Sequence, residues 1–477
     1  MRITFSILAM LLLLLPACTN ETKNESINGT WASIGSGWFL EIQDSSRYTF
    51  YDHIPISCLP NRQGPLTEII ESLHLQTDTL SLLKGVITYQ FIRAKVLPKN
   101  CTTPLDAQKA TDPLYNFEVF AETVKEHYAF MPLNRINWDS LYQQQKAKVA
   151  KSPTEAQLYS VLEETLEKLN DNHAYLEATE AVYEAAEQLA KERNEEEMEE
   201  EESLPELGDF QVADQVAEHY LQEEMTKDSW LMKWGKLTDK IGYVQIKSMW
   251  LYADMKLSKS RMEEIGFLDA YVEAFHKMYE GDYINKEVEG VHKIMDQVMS
   301  DLSDTKAMVL DVRFNGGGQD AVSFEILRRF IPQKLQVATQ QLRYGDQRTS
   351  VLPLYIEGAK DAYTKPVFLL TSAQTGSAAE AFSIASMAMN NAKRIGSPSA
   401  GAMSTALEKT LPNGWAFAIS NEIYMDNQGQ FYENKGIPVD YDLEYTRDRQ
   451  SFFRAIVNDL EKDKQAVLKA VATLQGK

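Results

Sequence analysis

At 477 residues, with a 44% hydrophobic share, the chain is too long for one small core and is ordinary for a globular protein. Its formal net charge of −21 argues against nucleic acid as a partner. At least two domains are expected.

Met1-Arg2 leads into the apolar run Ile7-Leu8-Ala9-Met10-Leu11-Leu12-Leu13-Leu14-Leu15, too short for a normal membrane span, and then Pro16-Ala17-Cys18. This resembles a bacterial lipoprotein signal. The resemblance implies a signal peptide over 1–17, cleavage before Cys18, lipid on that cysteine and a polar tether over 18–26. An ordinary secretory peptide with an incidental cysteine is the rival; the small residues directly before Cys18 and the polar stretch after it favour lipidation. No other apolar run approaches a span, so the anchor would be lipid alone. The expected location is the bacterial cell envelope facing the periplasm. Thr19, rather than an aspartate, after Cys18 leans toward the outer membrane by analogy with lipoprotein sorting.

Export brings an oxidising compartment, which allows a Cys58–Cys101 disulfide without requiring it. Both cysteines fall in 27–110, where Trp38-Phe39-Leu40-Glu41-Ile42 and Val86-Ile87-Thr88-Tyr89-Gln90-Phe91 alternate like strands. A separate all-β domain is expected, a small sandwich or barrel serving as a spacer or docking module. From 113 to 178 the apolar spacing becomes helical, as in Leu158-Tyr159-Ser160-Val161-Leu162, a bundle that ends at Leu169-Asn170-Asp171-Asn172-His173. The interval 179–238 reads as an acidic helical insertion. Its run Glu195-Glu196-Glu197-Met198-Glu199-Glu200-Glu201-Glu202 repels itself and stays solvated, and it lacks the glycine turn of a calcium loop.

An α/β core is expected over 239–448, with strands alternating with helices. Within it, 255–279 reads as a helical insertion over the cleft, and the Leu251–Met255 edge offers apolar contacts that core packing explains equally well. A closing amphipathic helix is expected over 449–477. Two stretches of the core carry chemistry. The buried-strand pattern Ala307-Met308-Val309-Leu310-Asp311-Val312-Arg313 runs into Phe314-Asn315-Gly316-Gly317-Gly318. Three glycines let a backbone approach a ligand closely. No Gly-Lys-Ser/Thr follows, so an oxyanion donor fits better than a phosphate cradle. Farther on, Pro366-Val367-Phe368-Leu369-Leu370 precedes Thr375-Gly376-Ser377-Ala378-Ala379-Glu380. Ser377 thus falls where a strand turns into a helix, with free N–H groups beside it; taken alone, this stretch reads first as an N-cap.

Together the two motifs, in this order and at this separation, resemble the serine peptidases that include the C-terminal processing (tail-specific) proteases and tricorn protease. The resemblance spans about 116–440. It implies a Clp protease/crotonase-like spiral core with Ser377 as nucleophile and an oxyanion hole formed by Gly316, Gly317 and Ala378. Members of that family often carry a PDZ domain before the main sheet; 179–238 lacks the strand run and glycine-rich loop of one, and none is expected.

The processing-protease branch uses a lysine base, but its position falls here on Ala402. The tricorn-like branch uses histidine. Of seven histidines, His173 stands in a turn-like Asn-Asp-Asn setting, where a scaffold can hold a catalytic group. His53 and His74 belong to the N-terminal region, and His127, His219, His276 and His292 read as surface residues. Tyr432-Glu433-Asn434-Lys435-Gly436 resembles the segment that supplies an orienting glutamate, which implies Glu433 for that role. The branch's serine before the histidine is replaced by Asn172, an amide able to relay between the two.

The expected activity is hydrolysis of peptide bonds in near-neutral or basic peptides or unfolded proteins, through an acyl-enzyme on Ser377 with His173 as base, Glu433 as its support, and no metal or organic cofactor. Two rivals stand beside it. One is a catalytically silent binding protein for hydrophobic ligands or peptides on the same fold; the other is a Ser-Lys peptidase using Lys393, Lys409 or Lys435.

Overall fold

The computed structural model describes residues 27–192 and 205–476. The expected signal peptide, Cys18, the tether and the acidic run 195–202 lie outside the described residues. The N-terminal region is one seven-stranded sheet: β1 (Gly29–Ser33), β2 (Trp38–Gln43), β3 (Arg47–Ile54), β4 (Ser57–Pro65), β5 (Leu73–Gln76), β6 (Thr79–Lys84) and β7 (Ile87–Ala94), in the order β4-β3-β2-β1-β7-β6-β5. All pairs are antiparallel, and consecutive strands are neighbours except across the β4–β5 connection. Cys58 on β4 is bonded to Cys101, with their Cα atoms 4.8 Å apart.

This sheet is the expected N-terminal all-β domain, but it shares its core with the chain that follows. Its inward Trp31, Leu40 and Phe91 belong to the same apolar core as Val244, Leu310 and Leu369 of the following domain. A buried ion pair crosses the joint, with Lys409 Nζ 2.8 Å from Asp52 Oδ1. His127 is also buried here, its Nδ1 3.0 Å from the Gly35 carbonyl, rather than on the surface.

Three helices follow: α1 (Pro113–His127), α2 (Trp138–Lys151) and α3 (Glu155–Leu169). Asp112 caps the first, with Pro113 at its opening turn, and Thr154 caps the third. Asn170 ends α3 in the left-handed conformation, φ 51°, which throws the chain into the loop carrying His173 and then into β8 (Tyr175–Glu177). Next come α4 (Glu180–Glu192) and α5 (Asp209–Tyr220), then β9 (Glu223–Glu224), β10 (Met232–Thr238) and β11 (Ile241–Ile246).

The inserted helices α6 (Lys259–Ile265) and α7 (Phe267–His276) lead to the long α8 (Glu280–Asp301). The 251–253 stretch before them is buried, its Leu251 and Tyr252 N–H groups donating to Glu287 of α8. That stretch is core rather than an exposed substrate edge. The chain continues through β12 (Ala307–Asp311), α9 (Asp320–Arg328), β13 (Leu335–Tyr344), β14 (Gln347–Arg348), β15 (Leu352–Ile356), β16 (Val367–Thr371), α10 (Ala378–Ser386) and β17 (Ala392–Gly396). It then forms β18 (Ala406–Thr410), β19 (Ala416–Ser420), β20 (Glu422–Met425) and β21 (Tyr441–Asp442).

The main sheet has the order β21-β17-β16-β12-β11-β10-β9, and β11, β12, β16, β17 and β21 pair in parallel. Every residue of β12 and β16 is buried, as befits central parallel strands covered on both faces. A smaller sheet, β18-β19-β8, ties the histidine loop to the core. The C-terminus is two helices, not one: α11 (Arg449–Asn458) stops at Asp459, whose side chain caps α12 (Leu460–Gln475) by accepting the Lys462 N–H. Among the described residues, no helix is long and apolar enough to cross a membrane.

Candidate active site

In an open parallel sheet, ligands meet the carboxyl ends of the strands. Here β12 and β16 are neighbours, and their carboxyl ends run into the two glycine-bearing turns. The turns are laced together: Ser372 Oγ donates to the Arg313 carbonyl at 2.6 Å, Thr375 Oγ1 to the Val312 carbonyl at 2.8 Å, and the Gly376 N–H to the Asn315 carbonyl at 3.1 Å.

Ser377 sits at φ 51° and ψ −124°, a strained conformation for a residue with a side chain. Its hydroxyl makes no capping bond to α10. Instead Ser377 Oγ lies 3.1 Å from His173 Nε2. The N-cap reading of this serine therefore loses to a strand-to-helix elbow that aims the hydroxyl out of the turn. The Ser377 N–H donates to the Ala402 carbonyl at 2.9 Å, so the residue at the expected lysine position helps hold the elbow through its backbone.

Of the expected oxyanion donors, Ala378 and Gly316 have N–H groups with no acceptor among the described residues, and Gly316 is exposed. Gly317 differs. Its N–H donates to Asn315 Oδ1 at 2.9 Å, which corrects its assignment as a donor. What position 317 requires is closeness: a Cβ there would lie 2.6 Å from Ser377 Cβ and 3.0 Å from the Ala378 nitrogen, and its φ is +118°. The glycine permits the two turns to touch.

His173 is held by its backbone. Its N–H donates to Asp171 Oδ1 at 3.0 Å, and that carboxylate also accepts from Ser420 Oγ and the Ser420 N–H, both at 2.7 Å. Burial pushes the imidazole below its ordinary 6.5, and the Asp171 charge pulls part of that back. His173 Nδ1 is buried and has no hydrogen-bond partner.

That last point corrects the expected relay. Glu433 Oε2 accepts the Met403 N–H at 2.9 Å and makes no hydrogen bond to the imidazole. Burial, with the charges of Glu380 and Asp171 adding to it, pushes its carboxyl up to about 8. Asn172 is exposed and lines a cavity of about 520 Å³ on the outer side of the histidine loop, alongside Tyr159, Glu163 and Tyr175. It does not bridge Glu433 and His173. Glu380, one turn past the serine, braces the same region: its carboxylate accepts from Ser399 Oγ and from the Gly401 and Ala402 N–H groups. Burial raises it to about 7 against those bonds.

None of the candidate lysines makes a hydrogen bond to the Ser377 hydroxyl, which meets His173 instead. Lys409 is spent on Asp52 and the Ser36 carbonyl, Lys393 is exposed on β17 with Asp440 3.9 Å away, and Lys435 lies 5.1 Å over the Phe431 ring. Asp171 and Ser420 are the residues that sequence reading missed. The available signal was the Asp-x-His spacing, since an aspartate accepts the N–H two residues on in an Asx turn. Among the described residues no group of three or more His, Cys, Asp or Glu side chains could hold a metal ion.

Residues 240–443 match peptidase family S41. The fold is similar to that of a structure from Parabacteroides merdae described as a peptidase, at 19% identity over 73% of this chain and 97% of that one, with a TM-score of 0.50. It is likewise similar to mature CPAF, at 13% identity over 77% of this chain and 99% of that one, with a TM-score of 0.51.

Proposed function

We propose that this chain, whose residues 240–443 match peptidase family S41, is an exported, lipid-anchored serine endopeptidase that uses His173 to activate Ser377. The observation that carries this reading is the 3.1 Å contact between His173 Nε2 and the Oγ of a serine that leaves its own helix uncapped.

A serine hydroxyl needs a base because it is almost never ionised near neutrality. Neutral His173 accepts the Ser377 proton at Nε2 as Oγ attacks the peptide carbonyl carbon. The carbonyl electrons move onto oxygen, and the Ala378 and Gly316 N–H groups are the donors free to receive that charge. Collapse of the tetrahedral intermediate breaks the C–N bond, and the imidazolium returns its proton to the leaving amine. Water then attacks the acyl-enzyme by the same route and regenerates Ser377. Glu433 supports the site indirectly, by holding the Met403 backbone beside the elbow. The substrate is a peptide or unfolded protein, near-neutral or basic in view of the net charge of −21.

Labelling with a fluorophosphonate tests the reading. The wild type should react, Ser377→Ala should not, and His173→Ala should react at least about a hundredfold more slowly, within the range a general base contributes. Undiminished labelling of His173→Ala would remove the histidine from the mechanism and reopen a lysine base.

A further inference from the structure

An imidazole that gains a proton in a buried site needs a negative charge near it, and its ring nitrogen Nδ1 has no partner here. Glu433 would be the natural supplier, yet its hydrogen bond goes to Met403 N. The carboxylate built into the histidine loop is Asp171. Three donors converge on it: the His173 N–H, the Ser420 N–H and the Ser420 hydroxyl. Ser420 ends β19, and β19 pairs with β8 directly after the histidine, Ala418 opposite Tyr175. The same carboxylate thus fixes the loop to the core and brings a fixed charge to the base.

We propose that Asp171 is the charge-supplying positioning residue of the site, orienting His173 through its backbone and stabilising the imidazolium that forms when Ser377 attacks. The proposal rests on His173 being the base. Asp171 does not touch the reacting atoms and acts only through the histidine.

The other titratable groups facing this cluster do not replace it. Glu433 and Glu380, raised to about 8 and about 7, are largely protonated at the acid pH where the imidazole titrates, so they bring little charge there. Tyr128, whose hydroxyl donates to the Leu169 carbonyl behind the loop, is pushed upward by burial, with the Asp171 charge adding to it, and stays neutral. On the acid limb, where those two carboxyls are largely protonated, Asp171 is the carboxylate that faces the His173 charge.

The sign of the effect follows. Asp171 raises the affinity of His173 for a proton, so removing its charge lowers that affinity further. The acid limb of the rate then moves to lower pH, while the plateau rate falls because the imidazolium in the transition state loses its counter-charge.

The test measures the second-order rate of Ser377 acylation by a fluorophosphonate against pH, on the full chain. Asp171→Asn and Asp171→Ser both keep an acceptor for the His173 N–H, since serine forms a similar local turn. Both should shift the acid limb to lower pH and cut the plateau rate about ten- to a hundredfold, below the full share of a general base. Asp171→Glu keeps the charge and should leave the limb in place. A loss of rate with an unmoved limb in both neutral variants would make Asp171 a structural tie only and overturn the proposal. So would a limb that moves in Glu433→Gln and stays put in the Asp171 variants. If the wild type itself has no histidine-type limb, the base assignment fails instead.

Discussion

Asp463, outside the segment that matches the peptidase family, is tied through Arg313 to the turn that carries Ser377. Its Oδ2 accepts from Arg313 NH1 at 2.7 Å and from the Tyr220 hydroxyl at 2.6 Å, and its Oδ1 accepts from the Tyr445 hydroxyl at 2.7 Å. Arg313 is fully buried; its other carboxylate partner is Asp311, 2.7 Å from Nη2, and its backbone carbonyl receives the Ser372 hydroxyl of the Ser377 turn. Asp463→Asn removes one of the two charges that balance this guanidinium and leaves an amide N–H₂ facing donors. Breaking a buried ion pair typically costs about 3–5 kcal/mol. Asp311 remains to pair with Arg313, so the lower end, about 3 kcal/mol, is expected. Equilibrium unfolding in urea of the full chain, followed by tryptophan fluorescence, measures it. Burial pushes the Asp463 carboxyl up, but Arg313 and the two tyrosine hydroxyls pull it further down, to a net position below the ordinary 3.8. A group with a depressed folded value stabilises above its unfolded value and loses that contribution as pH falls through the folded one. The gap between wild type and variant should therefore be full at neutral pH and close below the ordinary 3.8. A gap of less than about 1 kcal/mol at neutral pH, the size of an exposed ion pair, would refute the reasoning.

Two further predictions concern the joint to the N-terminal sheet and the leader. Lys409→Met should destabilise the chain by about 3–5 kcal/mol because it strands Asp52 in the interior; adding Asp52→Asn should recover part of that loss, as thermal melts of the single and double variants will report. Cys18→Ala should shift the protein from the detergent to the aqueous phase on phase partitioning of whole-cell extract, and retention in the detergent phase would argue against a lipid anchor at that cysteine.

How much of this was legible depended on distance along the chain. The two glycine-bearing turns and their flanking strands are local patterns of apolar runs and small residues, and β12 and β16 lie where those runs predict. The N-terminal strands were readable for the same reason. Their single-sheet order was not, because it depends on which strands pair. Contacts that cross the chain left weaker traces. Lys409 reads as one of three candidate lysine bases until Asp52, far earlier, is seen beside it. His127 sits on a helix with charged neighbours, yet it is buried against the Gly35 carbonyl, and burial pushes its imidazole down to about 3. Nor does a run of glycines reveal which amide stays free; that is decided by Asn315, whose side chain takes the Gly317 N–H. The C-terminal break was available locally, since Asp459 can cap the helix it starts, but the uninterrupted amphipathic pattern hid it.

The segment 240–443 that matches the peptidase family contains Ser377 and the unpaired Gly316 and Ala378 N–H groups but not His173. His173 enters from the helical lead-in, and what brings it to Ser377 is a short antiparallel pairing of β8 with β19 together with the Asp171–Ser420 bonds. β19 in turn pairs with β18, which carries Lys409 and through it the N-terminal sheet. The His173–Ser377 contact is thus flanked by ties on both sides of the matched segment: Asp52 before it and, through Arg313 and the Ser377 turn, Asp463 after it. This explains why charged residues are buried so far from the reacting atoms. Each ties a terminal element to the matched segment: Asp52 joins the N-terminal sheet to β18, and Asp463 joins α12 to the turn after β12.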